Sequence, residues 1–480
     1  MKLTRTKIVA TVGPACGTPK MIRELVTAGV DVFRLNFSHG DHESHARYIE
    51  IIRKAAADAQ APVAVMQDLQ GPRIRTGALR DHKPVRLKER AEVTLRPGDF
   101  EGDAETVAVN YGPLAAEVKE GDSILLSDGL IELSVISTDG KQVRCHVTSG
   151  GKLGEHKGIN LPGVRLSIAS PTEKDIADLH FGIEHEVDFV ALSFVRSADD
   201  VLRLKQAMRE YQPSRGQSTS IPVIVKVEKP EAVTHLHEIL RVAEGVMVAR
   251  GDLGIEMPAE SVPAVQKKIL RMANQLGVPA ITATQMLESM VRSPRPTRAE
   301  ATDVANAILD GTDAVMLSAE TSVGRYPAKA VRMMDRIAQE TEQLRWEERA
   351  AVPPEVESVG NQQQHALATA ACGIAHELDA AGIVPFTLTG STARYISQRR
   401  PDVPIYALTP NPQTYRRVTL LWGVHPVMLD VFESTDEMIE RGQKRLRDLG
   451  LASPGDVFVY VAGASTNTPG GTDMLKIHRF

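Results

Sequence analysis

Along most of the first 340 residues one pattern recurs: a short apolar run, a polar turn, then a stretch whose apolar positions follow helical spacing. Strand-like runs fall at 7–13, 32–38, 63–69, 189–194, 222–228, 245–252, 279–286 and 314–320. Helical stretches between them include 174–184, 200–211, 231–243 and 262–276. Strands this continuously apolar suit a parallel sheet buried on both faces. Eight is the number that closes a β/α barrel, so the expected fold class is α/β with a (β/α)8 barrel; an open doubly wound sheet is the alternative.

Two segments depart from the pattern. Within 72–167 apolar residues alternate with period two, as in 131–135 and 143–147, and Asp128 with Gly129 and Asp139 with Gly140 mark tight turns. This segment reads as an inserted all-β module, a small β-barrel placed as a lid at the barrel's catalytic end. Beyond residue 343 the composition shifts: 347–364 is charged, proline-bearing and glutamine-rich, a linker in character. New strands at 383–389, 405–409, 427–429 and 457–462 then indicate a C-terminal α/β domain with a mainly parallel sheet. The expected domains are 1–71 with 168–343, 72–167, and 344–480.

Composition narrows the partners. A net charge of −5 offers no electrostatic reason to bind nucleic acid. Cys16, Cys145 and Cys372 are odd in number and far apart, without metal-ligand spacing, which fits reduced thiols. The apolar run 8–12 is too short for a signal-peptide core and no stretch could span a bilayer. A soluble cytoplasmic protein is expected.

The active site of a β/α barrel lies at the C-terminal ends of its strands, so polar residues there that a structural strand does not need are the candidates. Lys226 and Glu228 share one face at the end of 222–228, opposite Val223, Val225 and Val227. A plain ion pair is the competing reading, but burying each charge costs several kcal/mol, which favours a role in binding charge. The next strand ends in Arg250, Gly251, Asp252, Leu253 and Gly254, putting a second carboxylate beside Glu228. Two carboxylates with other positions left to water and phosphate oxygens suit Mg²⁺ or Mn²⁺. On the second strand Arg34, Asn36 and Ser38 line the inner face; Arg34 suits bidentate phosphate binding, or else a buried pair with Asp68. Thr282 and Thr284 are placed on one face of the seventh strand, and Ser193, Ser318 and Glu320 carry weaker signals at similar ends. These residues point to phosphoryl transfer at a divalent metal, with Lys226 as the stabilising cation.

Taken together, TKIVATVGP (6–14), FRLNFSHG (33–40), DLQGPRIRTG (68–77), KGINLPG (157–163), IVKVEKPEAV (224–233), MVARGDLGIE (247–256), TATQMLESM (282–290) and RPTRAEATDVANAILDGTDAVMLSAET (295–321) resemble pyruvate kinase. The resemblance implies transfer of a phosphoryl group from phosphoenolpyruvate to ADP, giving pyruvate and ATP in the last step of glycolysis. It implies that Lys226 neutralises the phosphoryl in flight, that Glu228 and Asp252 hold the metal, and that Thr284 lies on the route of a proton to the enolate. The backbone of Ala249, Arg250 and Gly251 would receive the substrate carboxylate, and Arg34 would clamp phosphate. Thr11, Pro14, Asn36, His39, Arg75 and Lys157 would contact the nucleotide.

The same resemblance carries a departure. Many relatives need potassium and carry Thr and Glu where this chain has Leu69 and Arg73, and members with a basic residue at the second position are associated with potassium independence. A fixed guanidinium at Arg73, near Asn36, Ser38, Asp68 and Leu69, would supply the ion's charge, so K⁺ is expected to be dispensable. The resemblance further implies a homotetramer, with Arg298 near a neighbouring subunit. It also implies a sugar-phosphate or nucleotide-monophosphate effector at Thr387, Thr389, Gly390, Ser391 and Thr392, with Gly463, Gly470 and Gly471 as a second wall. The competing functions are a Mg²⁺-dependent, enolate-stabilising barrel lyase or aldolase, and a catalytically silent metabolite sensor.

Overall fold

The computed structural model describes residues 4–480 apart from 165, 215, 348–360, 431–433 and 464–470. Its eight apolar runs become β1 (Lys7–Thr11), β2 (Val32–Asn36), β3 (Ala64–Asp68), β4 (Phe189–Leu192), β5 (Val223–Val227), β6 (Gly245–Ala249), β7 (Ala280–Ala283) and β8 (Ala314–Leu317). β1 pairs in parallel with both β2 and β8, so the sheet closes into a barrel and the open alternative falls. Alternation then sorts the side chains. Val9, Val32, Ala64, Met66, Ile224, Met247 and Ile281 fill the interior, while Ile8, Phe33, Leu35, Val225, Val227 and Val248 pack under the helices.

Two expected elements are divided. The helix expected at 231–243 is two, Pro230–Thr234 and Leu236–Val242, because His235 (φ −96°, ψ 19°) leaves helical geometry between them. The strand expected at 245–252 ends at Ala249, and Arg250–Glu256 is a helix. Asp252 therefore sits in a helical first turn beyond the strand end.

The insert after β3 forms a six-stranded sheet in the order Ile159–Asn160, Ser123–Leu126, Ile131–Thr138, Val143–Ser149, Glu92–Pro97, Thr106–Val109. Arg75 bridges to Gly158 at one edge and Thr76 to Val109 at the other, so the sheet curls upon itself around Val93, Leu95, Ile124, Leu133 and Cys145. The C-terminal sheet has four parallel strands, Val424–Met428, Ile405–Thr409, Gly382–Pro385 and Val457–Ala462. An antiparallel fifth, Met474–Arg479, pairs with the last of them. That edge strand escapes the sequence reading because its half-exposed residues lack a clean apolar run.

The C-terminal domain docks under the barrel. Leu420 joins the barrel's interior core, and Lys7 Nζ donates to Val424 O at 2.7 Å. Asp188, buried ahead of β4, accepts from Arg53 (2.9 Å) and from Arg416 of the C-terminal domain (2.7 Å). Residues 348–360 of the expected linker lie outside the described residues, between helices Pro327–Glu347 and Gln362–Glu377. No helix among the described residues is long and apolar enough to cross a membrane.

Candidate active site

At the C-terminal mouth of the barrel the inward positions change from apolar to charged. Arg34 follows Val32 on β2, Asp68 follows Met66 on β3, and Lys226 follows Ile224 on β5, each one step further along the same inner face. Arg34 Nε donates to Asp68 Oδ2 at 2.6 Å, and a terminal guanidinium nitrogen donates to Thr11 Oγ1 at 3.1 Å. Lys226 Nζ stands 2.7 Å from Glu228 Oε1 and 3.3 Å from Asp68 Oδ1, and donates to Ser193 Oγ at 2.7 Å. Ser193, a weak signal in the sequence, thus supports the lysine. The Arg34–Asp68 pair is the buried partnership that the sequence left open.

Charge and burial oppose each other here. Burial alone raises the Asp68 carboxyl, but Lys226 and Arg34 outweigh it and hold the group below the usual carboxylate range. For Lys226, burial is outweighed by Asp68 and Glu228, and the ammonium is held above its ordinary value. Glu228 is fully buried; burial drives its carboxyl up, Lys226 only partly opposes this, and Asp252 adds repulsion. Its Oε2 accepts the Phe194 N–H at 2.7 Å, whereas Oε1 has no well-directed hydrogen bond although Lys226 is close. A fully buried carboxylate that one ammonium only partly compensates, beside a second carboxylate, is relieved by a divalent cation, so the donor set fits one. Among the described residues no group of three His, Cys, Asp or Glu side chains forms a closed metal site. The pair would leave most positions to water and substrate oxygens, as Mg²⁺ and Mn²⁺ tolerate.

The seventh strand corrects an expectation. Ile281 and Ala283 face the barrel interior, so Thr282 faces away and is bonded to Thr312 Oγ1 at 3.0 Å. Strict alternation would turn Thr284 the same way. β7 ends at Ala283, however, and Thr284 (φ 68°) and Gln285 (φ 55°) adopt left-handed backbone. A β-branched residue in that region is strained, and such strain collects at functional sites. Released from the strand, Thr284 Oγ1 accepts the Gly251 N–H at 2.7 Å and donates to Ala283 O at 2.6 Å.

Arg250 contributes through its support of this loop. Its guanidinium donates to Thr284 O (2.6 Å) and pairs with Asp303 (2.7 Å). Asp303 lies inside the helix Arg298–Leu309, where an acidic residue gives no sequence signal of its partner. Glu320 shapes the neighbouring turns, accepting from Ser318 N (2.7 Å) and Leu287 N (3.0 Å).

Of the residues assigned to the nucleotide, His39 feels the charge of Arg75, and Arg75 bridges to Gly158 next to Lys157. His39 is exposed, and partial burial together with Arg73, Arg75 and Arg34 lowers its pKa. Lys157 is exposed, on the segment bridged to Arg75 and Thr76. Pro14 is exposed, and Asn36 Oδ1 accepts the Ser38 N–H at 3.1 Å. Thr11 is buried, committed to Leu317 O (2.9 Å) and Arg34, so it supports the arginine. The Arg73 guanidinium stands 3.5 Å from Asp252 Oδ1 and 6.0 Å from the centre of the Phe194 ring.

In the C-terminal domain Gly390 (φ 90°) opens the helix Ser391–Gln398. Its N–H donates to Thr387 Oγ1 at 2.8 Å, and Thr389 Oγ1 donates to Ser391 Oγ at 3.2 Å. Thr392 is buried against Thr472. Gly470, in the expected second wall, lies outside the described residues.

Residues 3–331 match the family model described as pyruvate kinase, barrel domain, and residues 365–478 match pyruvate kinase, alpha/beta domain. The chain is 41% identical to the pyruvate kinase of Clostridium acetobutylicum, over 99% of both chains. It is 45% identical to pyruvate kinase 2 of Synechocystis sp., over 98% of this chain and 79% of that one. A crystal structure of a pyruvate kinase from Cryptosporidium parvum superposes with a TM-score of 0.91 at 36% identity, covering 99% of this chain and 96% of the other.

Proposed function

The chain belongs to the pyruvate kinase family, and from that membership we propose how its own residues carry the reaction. It is a phosphotransferase that moves the phosphoryl group of phosphoenolpyruvate to ADP, yielding pyruvate and ATP, and the family works with a divalent metal. The observation that supports the assignment of roles is the cluster of Arg34, Asp68, Lys226 and Glu228 at the mouth of an otherwise apolar barrel.

Phosphoryl transfer asks the protein mainly for positioning and for neutralised charge. Lys226 faces the transferring phosphoryl with its ammonium kept charged, and Arg34 holds a phosphate oxygen pair while Asp68 fixes its orientation. Glu228 and Asp252 would hold Mg²⁺ or Mn²⁺, and the ion would supply neutralisation of the negative charge on the substrate. The backbone of Ala249, Arg250 and Gly251 takes the substrate carboxylate, which requires Thr284 to release the Gly251 N–H. The freed hydroxyl then belongs to the path that delivers a proton to the enolate carbon. Asn36, His39, Arg75 and Lys157, with Pro14 and Thr11 nearby, receive the nucleotide. The inserted domain closes over the site and excludes water.

Three finer readings belong with this one. Arg73 replaces the potassium ion of other members; residues Thr387 to Thr392 bind a phosphorylated effector; and the protein works in the cytoplasm as a homotetramer with Arg298 near a subunit contact. Neither a metal-dependent lyase nor a silent metabolite sensor is favoured, since the matched relatives are named as kinases over nearly the whole chain.

The test is ATP formation from phosphoenolpyruvate and ADP, with and without chelator, with Mg²⁺ or Mn²⁺ restored, and across candidate sugar phosphates and nucleotide monophosphates. Lys226→Met should lower turnover about 10²–10³-fold, the scale of one lost electrostatic stabiliser. Unchanged turnover in that variant would overturn the role assigned to Lys226, and a substrate saturation curve that no effector moves would remove the effector site.

A further inference from the structure

Outside the residues assigned above, one buried carboxylate has partners on two separate parts of the protein. Glu256 closes the seven-residue helix whose first turn carries Asp252, and only 5% of it is exposed. Its Oε1 lies 2.8 Å from Lys229 Nζ, on the residue directly after Glu228. The same oxygen accepts from Asn160 Nδ2 at 2.9 Å. Asn160 belongs to the inserted domain, in the short strand Ile159–Asn160 paired with Ser123–Leu126.

The helix is therefore clasped at both ends by the insert: at Asp252 by Arg73 and at Glu256 by Asn160. Between the clasps lies a cavity of about 380 Å³, lined by Ile74, Ile159, Leu161 and Phe194 along with the ionic residues. A buried ion pair such as Lys229–Glu256 adds little net stability against an apolar alternative, but it fixes one geometry. Here the geometry fixed is that of the two elements bearing Glu228 and Asp252.

We propose that Glu256 is a positioning residue that couples closure of the inserted domain to the metal carboxylates, with Asn160 as the contact that reports closure. This rests on Glu228 and Asp252 being the metal ligands. When Asn160 engages, Glu256 is held against Lys229 and the helix is locked with Asp252 at a set distance from Glu228. When Asn160 is withdrawn, one of the two constraints on Glu256 is lost. Coupling of this kind is reciprocal: metal at the carboxylates favours the closed insert by the same factor with which closure favours the metal.

The test measures Mn²⁺ binding by electron paramagnetic resonance, and backbone hydrogen exchange across 158–164 with and without Mn²⁺, in the full-length protein. In the wild type, Mn²⁺ should slow exchange in that segment. Asn160→Ala should weaken Mn²⁺ binding about tenfold, the scale of one hydrogen bond to a charged group, and abolish the metal-dependent protection. Asn160→Asp, which sets a like charge against Glu256, should weaken it further, and both variants should melt with the wild type. Glu256→Gln should match Asn160→Ala; because it strips Lys229 of its partner and can unfold, the Asn160 variants decide the matter. Wild-type Mn²⁺ affinity and wild-type protection in Asn160→Ala would overturn the coupling. Retained Mn²⁺ binding in Glu228→Gln would overturn instead the metal assignment beneath it, so the two failures are told apart.

Discussion

Arg73 reaches Asp252 across 3.5 Å, joining the segment that leads into the inserted domain to a helix 179 residues further along the chain. The guanidinium is a permanent charge next to one of the two carboxylates assigned to the metal. Activity is therefore expected in potassium-free, sodium-free buffer. Arg73→Glu should lose at least tenfold in that buffer, about 1.4 kcal/mol or more, and recover in part when K⁺ is added. Steady-state rates across a K⁺ titration of both proteins check this; a wild type that requires K⁺ would refute it.

Asp68 is the shared partner of Arg34 and Lys226, and Asp68→Asn leaves both cations buried against a neutral amide. Breaking a buried pair costs about 3–5 kcal/mol. Because the folded carboxyl is held below its ordinary value, its stabilisation is present above about pH 4, the unfolded value, and is lost as pH falls through the folded one. Denaturant unfolding should show a wide gap between wild type and variant at neutral pH that narrows in acid.

His425 provides a pH signature at the joint between domains. Burial first, then Lys7 and Arg5, press its imidazole down to about 2. The folded protein cannot take up this proton in mild acid, whereas the unfolded chain does so below about pH 6.5. Stability from this group should thus fall as pH drops below about 6.5, by up to about 2 kcal/mol at pH 5. His425→Gln should flatten that part of the profile, as measured by unfolding free energy at pH 7, 6 and 5.

Asp188 holds two arginines from different domains, Arg53 of the barrel and Arg416 of the C-terminal domain, and also accepts the Val65 N–H at 2.8 Å. Asp188→Asn should destabilise by about 3–5 kcal/mol, the cost of uncompensated buried charge. Calorimetry should show the C-terminal domain separating as an earlier transition. A single wild-type-like transition would show that the apolar seat of Leu420 suffices to join the domains.

Much of this was legible from period and composition. A two-residue period assigns faces within a strand, so Arg34, Asp68 and Lys226 could be placed inward without coordinates, and a charge on an apolar strand marks itself by its cost. The period fails where a strand ends. Alternation puts Thr284 on the face of Thr282, but its left-handed backbone turns it elsewhere. The apolar run places Asp252 at a strand end, whereas it lies in a helix. Asp303 and Glu256, whose partners come from other elements, gave no local sign at all.

By itself, then, the sequence determined the eight β/α units, the insert, the C-terminal domain and the charged strand ends, since each follows from spacing between near neighbours, while closure of the barrel rests on the long-range pairing of β1 with β8. Tertiary structure alone decided that Lys226 is shared between Asp68 and Glu228, that Arg73 meets Asp252, and that Asn160 reaches Glu256. Those pairings depend on where separate elements come to rest, and no local period carries that distance.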